Sequence, residues 1–236
     1  MDILDSLAII SLAALVHASF QLSVSVLTLL SGHTIGSKRS NIRLFGLMTS
    51  FILGTVLMTL LIISSTSFVL VNIFETTPPA LWTVGCGLLL GVAIAIWLFY
   101  YRRQKGTSLW IPRSMADYLT ERTRKTHHNA EAFGLGLTSV TAEILFIIAP
   151  LFISSLVLTQ LPPTWQIIGV AIYTAVSSLS LIIVWMLVGS GHSLSKIQKW
   201  REYNKYFLQF VSGAGLVILG VFVYVTIVMS SSAGLN

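Results

Sequence analysis

"AFGLGLTSVTAEILFIIAPLFISSLVL", residues 132–158, is long and apolar enough to cross a bilayer, yet it carries a carboxylic acid, Glu143, near its middle. A helix needs about 20 apolar residues to cross a hydrocarbon core of about 30 Å. Five further stretches meet that length, near 6–31, 44–71, 80–101, 164–189 and 206–229. The composition agrees: 55% of the residues are hydrophobic and 9% charged, with a mean hydropathy of +0.85. A water-soluble domain of this size has no core large enough to hide such a surplus. The first stretch is no signal peptide, because Asp2 and Asp5 stand where a basic region belongs and the apolar run is too long. These readings predict an all-α integral membrane protein with six transmembrane helices.

Charge tests the helix count. Lys38, Arg39 and Arg43 lie in the first connection, and Arg102, Arg103, Lys105, Arg113, Arg122, Arg124 and Lys125 in the third. The fifth holds Lys196, Lys199, Arg201 and Lys205, which completes all 14 basic residues of the chain. Six crossings bring these three connections to one face, which the positive-inside rule assigns to the cytoplasm. Both termini are then expected outside, in an inner (cytoplasmic) membrane. The net charge of +6 reads as orientation and contact with anionic lipid headgroups, and no nucleic-acid partner is expected.

The basic segment 102–130 divides the chain. Residues 1–105 form a first three-helix half, 106–130 a cytoplasmic linker with a short amphipathic helix at 114–125, and 131–236 a second three-helix half. An odd number of helices on each side starts the second half from the opposite face, so any kinship between the halves is an inverted repeat. Laid without gaps on "LAALVHASFQLSV" (12–24), "GLGLTSVTAEILF" (134–146) sets Ser139 beside His17 and Glu143 beside Gln21.

Those four residues are the expected substrate- or proton-binding set. Glu143 is the one acid within the six segments, and a carboxylate at that depth costs about 3 kcal/mol even on the insertion scale. It must face the bundle interior, find a partner or carry a proton. His17 and Gln21 lie one helical turn apart on one face, with Ser19 and Ser23 close by in sequence. Pro150 follows Glu143 on nearly the same face and leaves the Phe146 carbonyl without its usual donor, so a helix break is expected there, as transporter sites often use. The competing reading makes Glu143 a protonated bridge that holds helices together.

The segment ends repeat themselves. "SGHTIGSK" (31–38) and "SGHSLSK" (190–196) both finish spans that run inward. Gly32 and Gly191 suit a left-handed C-cap, and His33 and His192 suit the last carbonyls. A sharper reading joins those imidazoles to His127 and His128 as a metal or proton relay, although no ligand spacing supports it strongly. "TTPPALW" (76–82) and "TQLPPTW" (159–165) place a proline pair at a helix start and Trp82 and Trp165 at headgroup level. Glycines in the second, third and sixth segments, Gly54 among them, allow close backbone approach and permit a homodimer.

The run "ASFQLSVSVLTLLSGHTIGSKRSNIRLFGLMTSFILGTVL" (18–57) resembles the first helix, basic turn and second helix of the lysine-exporter (LysE) superfamily. "ALWTVGCGLLLGVAIAIWLFYYRR" (80–103), "AFGLGLTSVTAEILFIIAPLF" (132–152) and "FLQFVSGAGLVILGVFVY" (207–224) are similar to its third, fourth and last helices. The resemblance implies a six-helix transporter fold with an inverted repeat, and an exporter. Its amino-acid exporters carry a proline-containing polar motif in the first helix and Asn-Pro in the fourth. Here "HASFQLS" and "VTAEILF" stand at those places, so the substrate stays open. By analogy, Glu143 opposite Gln21 suits a cationic or amino-acid-like solute, with proton coupling.

The rivals are few. Thiol-disulfide carriers need paired cysteines, and only Cys86 is present. An intramembrane hydrolase is not expected, since neither HExxH nor GxSxG occurs. A divalent-metal carrier needs more midplane ligands than His17 and Glu143, and no resident metal or cofactor is expected. The remaining alternative is a structural or assembly subunit through which nothing crosses.

Overall fold

A computed structural model of the chain describes residues 2–20, 22–32, 38–74, 77–100, 113–191 and 194–229. Every regular element among them is helical: α1 Ile3–Ala18, α2 Leu22–Gly32, α3 Lys38–Ile73, α4 Pro79–Phe99, α5 Arg113–Lys125, α6 Asn129–Thr159, α7 Pro163–Ser177, α8 Leu179–Gly189, α9 Leu194–Tyr203 and α10 Lys205–Val223. A π-helical turn, Tyr224–Met229, continues α10. Four of these helices (α3, α4, α6 and α10 with its π turn) are long and apolar enough to cross a membrane, and two bent pairs make up to six spans if each pair is one. The chain is an all-helical, multi-pass membrane protein.

The central helix is α6. Of its most apolar window 67% is buried, against 33–39% for α3, α4 and α10, whose remaining faces carry apolar side chains outward. α6 packs most extensively on α3, and the two backbones meet where both chains have glycine. A Cβ at Gly54 would lie 2.1 Å from the Phe133 carbonyl oxygen, and one at Gly136 2.2 Å from that of Phe51. Only hydrogen fits at this crossing. At one end, the Arg43 guanidinium donates to the His127 carbonyl at 2.8 Å and joins α3 to the lead-in of α6.

α4 and α10 form a second pair. The Trp97 ring lies flat across Gly213 and donates from Nε1 to the Phe210 carbonyl at 3.3 Å. Pro79 and Pro163 begin α4 and α7 after Pro78 and Pro162, where the missing N–H has no intrahelical partner to lose. Trp82 points into the bundle. It joins Gly85, Cys86, Leu89, Ala93 and Ile96 on the buried stripe of α4 and is 4% exposed.

The expected break at Pro150 is not where the helices break. α6 runs unbroken from Asn129 to Thr159 through that proline. Ile147, Ala149, Leu151 and Ile153 around it in sequence are all buried, so this stretch of α6 is in the bundle core. The breaks fall between Ala18 and Leu22, where α1 and α2 meet at 48°, and at Ser178, where α7 and α8 meet at 46°. Hydroxyl groups lie at the second: Ser177 and Ser178 both donate to the Thr174 carbonyl, at 3.1 and 2.8 Å, and paired back-bonding of this kind favours a bend. At the first, Ser19 Oγ donates to the Val16 carbonyl at 2.6 Å and Phe20 N–H to that of His17 at 3.1 Å, so the last turn of α1 tightens and ends.

Two short amphipathic helices, α5 and α9, both pack against α2. α5 turns Leu119 and Thr123 inward and holds its charges out, including the Glu121–Lys125 pair. α9 was not foreseen in the sequence. It buries Ile197 and Arg201 and leaves Trp200 and Tyr203 exposed. Gly191 takes the left-handed conformation expected after α8, with φ of 85°. Gly32 ends α2 and is not among the glycines with positive φ. His33 and His192 lie outside the described residues.

Candidate functional site

Where α1 gives way to α2, the first N–H groups of α2 have no carbonyl a turn behind them to bond. Glu143 of α6 meets them. Its Oε1 accepts the Leu22 N–H at 3.1 Å and its Oε2 accepts the Ser23 hydroxyl at 2.7 Å. The carboxyl is 3% exposed and faces the positive end of the α2 dipole, which suits an anion. Ser139, one turn before Glu143, lies 3.3 Å from Ser23 and also donates to the Gly136 carbonyl at 2.8 Å.

His17 closes the other side. Its Nδ1 is 3.1 Å from the Tyr173 hydroxyl of α7, and both rings are buried. His17, Ser23 and Glu143 share a cavity of about 20 Å³ with Thr55 and Thr59 of α3 and with Ser177 and Ser178 at the second break. That volume holds about one water molecule. Both helix breaks therefore open onto one small polar chamber, and the aromatic cluster of Phe20, Tyr100 and Phe146 stands beside it.

A buried cation lies nearby. Arg201 of α9 is 3% exposed, donates to Ser25 Oγ at 2.8 Å, and is within electrostatic reach of Glu143. The first turn of α2 is thus bonded by both an acid, at Leu22 and Ser23, and an arginine, at Ser25.

Of the residues expected from the sequence, Glu143, His17 and Ser139 come together around Ser23, while Gln21 lies outside the described residues. Pro150 is buried in α6 but is not among the residues lining the chamber. Sequence reasoning missed Tyr173, Thr55, Thr59, Ser177, Ser178 and Arg201. The hydroxyl-rich "YTAVSS" (173–178) inside an apolar span was a usable signal, whereas Arg201 was hidden among the charges that set orientation. Among the described residues no three His, Cys, Asp or Glu side chains gather as a metal cage.

No protein-family model, curated protein or solved structure matches this chain.

Proposed function

We propose that the chain is a secondary transporter with six spans, and that its solute or proton site is the chamber at Glu143. The observation that carries this is the Glu143 carboxyl laid across the break between α1 and α2, beside His17 and a set of hydroxyls. Unwound or interrupted spans that present half-helix ends at mid-membrane are how transporters bind small solutes. An intramembrane acid in that position is a functional site by default. The solute is a small cation or an amino-acid-like molecule with a cationic group, and Glu143 exchanges it for a proton.

The resemblance to the lysine-exporter superfamily supports export and the six-span arrangement. Charge supports the orientation, with α5 and α9 at the cytoplasmic face and both termini outside. The inverted repeat contributes less: a three-plus-three inversion equates the first span with the fourth, while the two breaks fall in the first and fifth.

A second reading has its own observation. The same two bonds make Glu143 a cap for α2, which is all that a structural subunit requires. Thermal stability of purified wild type and Glu143→Gln, with cationic amino acids, neutral amino acids and divalent cations added singly, separates the two. A bound ligand at 100 times its Kd stabilises the folded state by about 2.7 kcal/mol. The transporter predicts that a cationic amino acid raises the wild-type midpoint and leaves Glu143→Gln unmoved. If no compound moves either protein, the structural reading stands.

A further inference from the structure

A larger hollow lies away from the chamber. It has a volume of about 460 Å³, within the range of small-molecule sites, and opens along the outer face of the bundle between α3 and α7, with the end of α6 behind it. On α3 it runs from Leu60 to Val71, about 16 Å at 1.5 Å per residue, which is close to half of a hydrocarbon core of about 30 Å. One end is polar: Thr159 closes α6 and Gln166 is in the first turn of α7.

The lining has no charged residue, and three of its four polar residues, all but Ser64, donate to backbone carbonyls. Ser67 donates to the Ile63 carbonyl at 2.9 Å, Thr159 to that of Leu156 at 2.7 Å and Gln166 to that of Leu161 at 2.8 Å. The surface left for an occupant is apolar. Phe68 and Ile167, 69% and 73% exposed, stand at its rim and continue the apolar outer face that Leu61 and Val69 form on α3.

We infer that this groove is a binding site for one acyl chain of a membrane lipid, with the headgroup at the Thr159–Gln166 end. The length fits a single leaflet, the walls offer dispersion contacts to methylenes, and the groove is continuous with the surface that faces the bilayer. The absence of charge in the lining means that the chain, and not a particular headgroup, is recognised.

The test uses the full chain in vesicles of a phospholipid that carries a photoactivatable diazirine in one acyl chain, followed by mapping of the labelled peptides. Labelling of 60–71 and 158–171 is expected to exceed that of the exposed α4 face at Leu90, Ile94 and Leu98 several-fold, and to fall to that level in Ala171→Trp, which fills the groove. Ser64→Leu serves in the same way if Ala171→Trp does not fold. Equal labelling of all outward faces, or groove labelling that persists in a folded filled variant, overturns the site. So does efficient disulfide dimerisation of Phe68→Cys in vesicles, which would give the groove to a second copy of the chain.

Discussion

Glu143 is held by two bonds of different kinds, and they make different predictions. The bond from the Leu22 N–H needs only an acceptor oxygen, which glutamine supplies, while proton exchange needs the acid itself. Glu143→Gln is therefore expected to fold and to lose ion-coupled transport in vesicles. Glu143→Ala leaves the Leu22 N–H and the Ser23 hydroxyl without this partner and should lower stability by about 1–3 kcal/mol, read by denaturation in detergent. Equal stability of the alanine variant and wild type would show that the cap is dispensable. Glu143 was legible in the sequence because it is the one acid in six apolar segments. Tyr173 was not, since a tyrosine in a membrane span is common and only the fold brings its hydroxyl to His17, 156 positions away.

At the scale of helices, the long apolar elements were legible from length and composition, and the breaks were not. Pro150 drew attention as a lost donor, yet α6 stays intact, whereas the bends lie beside hydroxyls that bond back to their own helix, as Ser177 and Ser178 do. Such bonds depend on rotamers, which a residue pattern does not reveal. α9 escaped because, among its described side chains, the buried side is two residues wide, Ile197 and Arg201. It nevertheless brings a cation within electrostatic reach of Glu143, so Glu143 and Arg201 should not act independently. In a double-mutant cycle of Glu143→Gln and Arg201→Gln, a coupling of about 0.5–3 kcal/mol is expected in unfolding experiments. Additive effects would separate α9 from the site. The crossing of α3 and α6 gives a plainer expectation: Gly54→Ala or Gly136→Ala forces a methyl onto a carbonyl oxygen and should destabilise by about 1–3 kcal/mol. Gly87→Ala, with nothing within 4 Å of the added carbon, should not.

For the whole molecule, the segregation of basic residues predicts a single orientation, and impermeant thiol labelling of intact cells checks it. Cys86 is buried, so the background should be low. A cysteine at Thr77 is expected to react from outside and one at Lys199 only after the cells are opened; the reverse pattern inverts the protein. The glycine crossing also constrains how the bundle can change shape. Helices in backbone contact slide or separate only by losing that contact along its length, so α3 and α6 move as one rigid post. What remains free to swing are the limbs on either side of the two bends, α1 against α2 and α7 against α8. Any cycle that exposes the chamber first to one side and then to the other is then a motion of two elbows about a fixed column. A covalent link between α3 and α6 should leave turnover intact, and one that straightens either elbow should stop it.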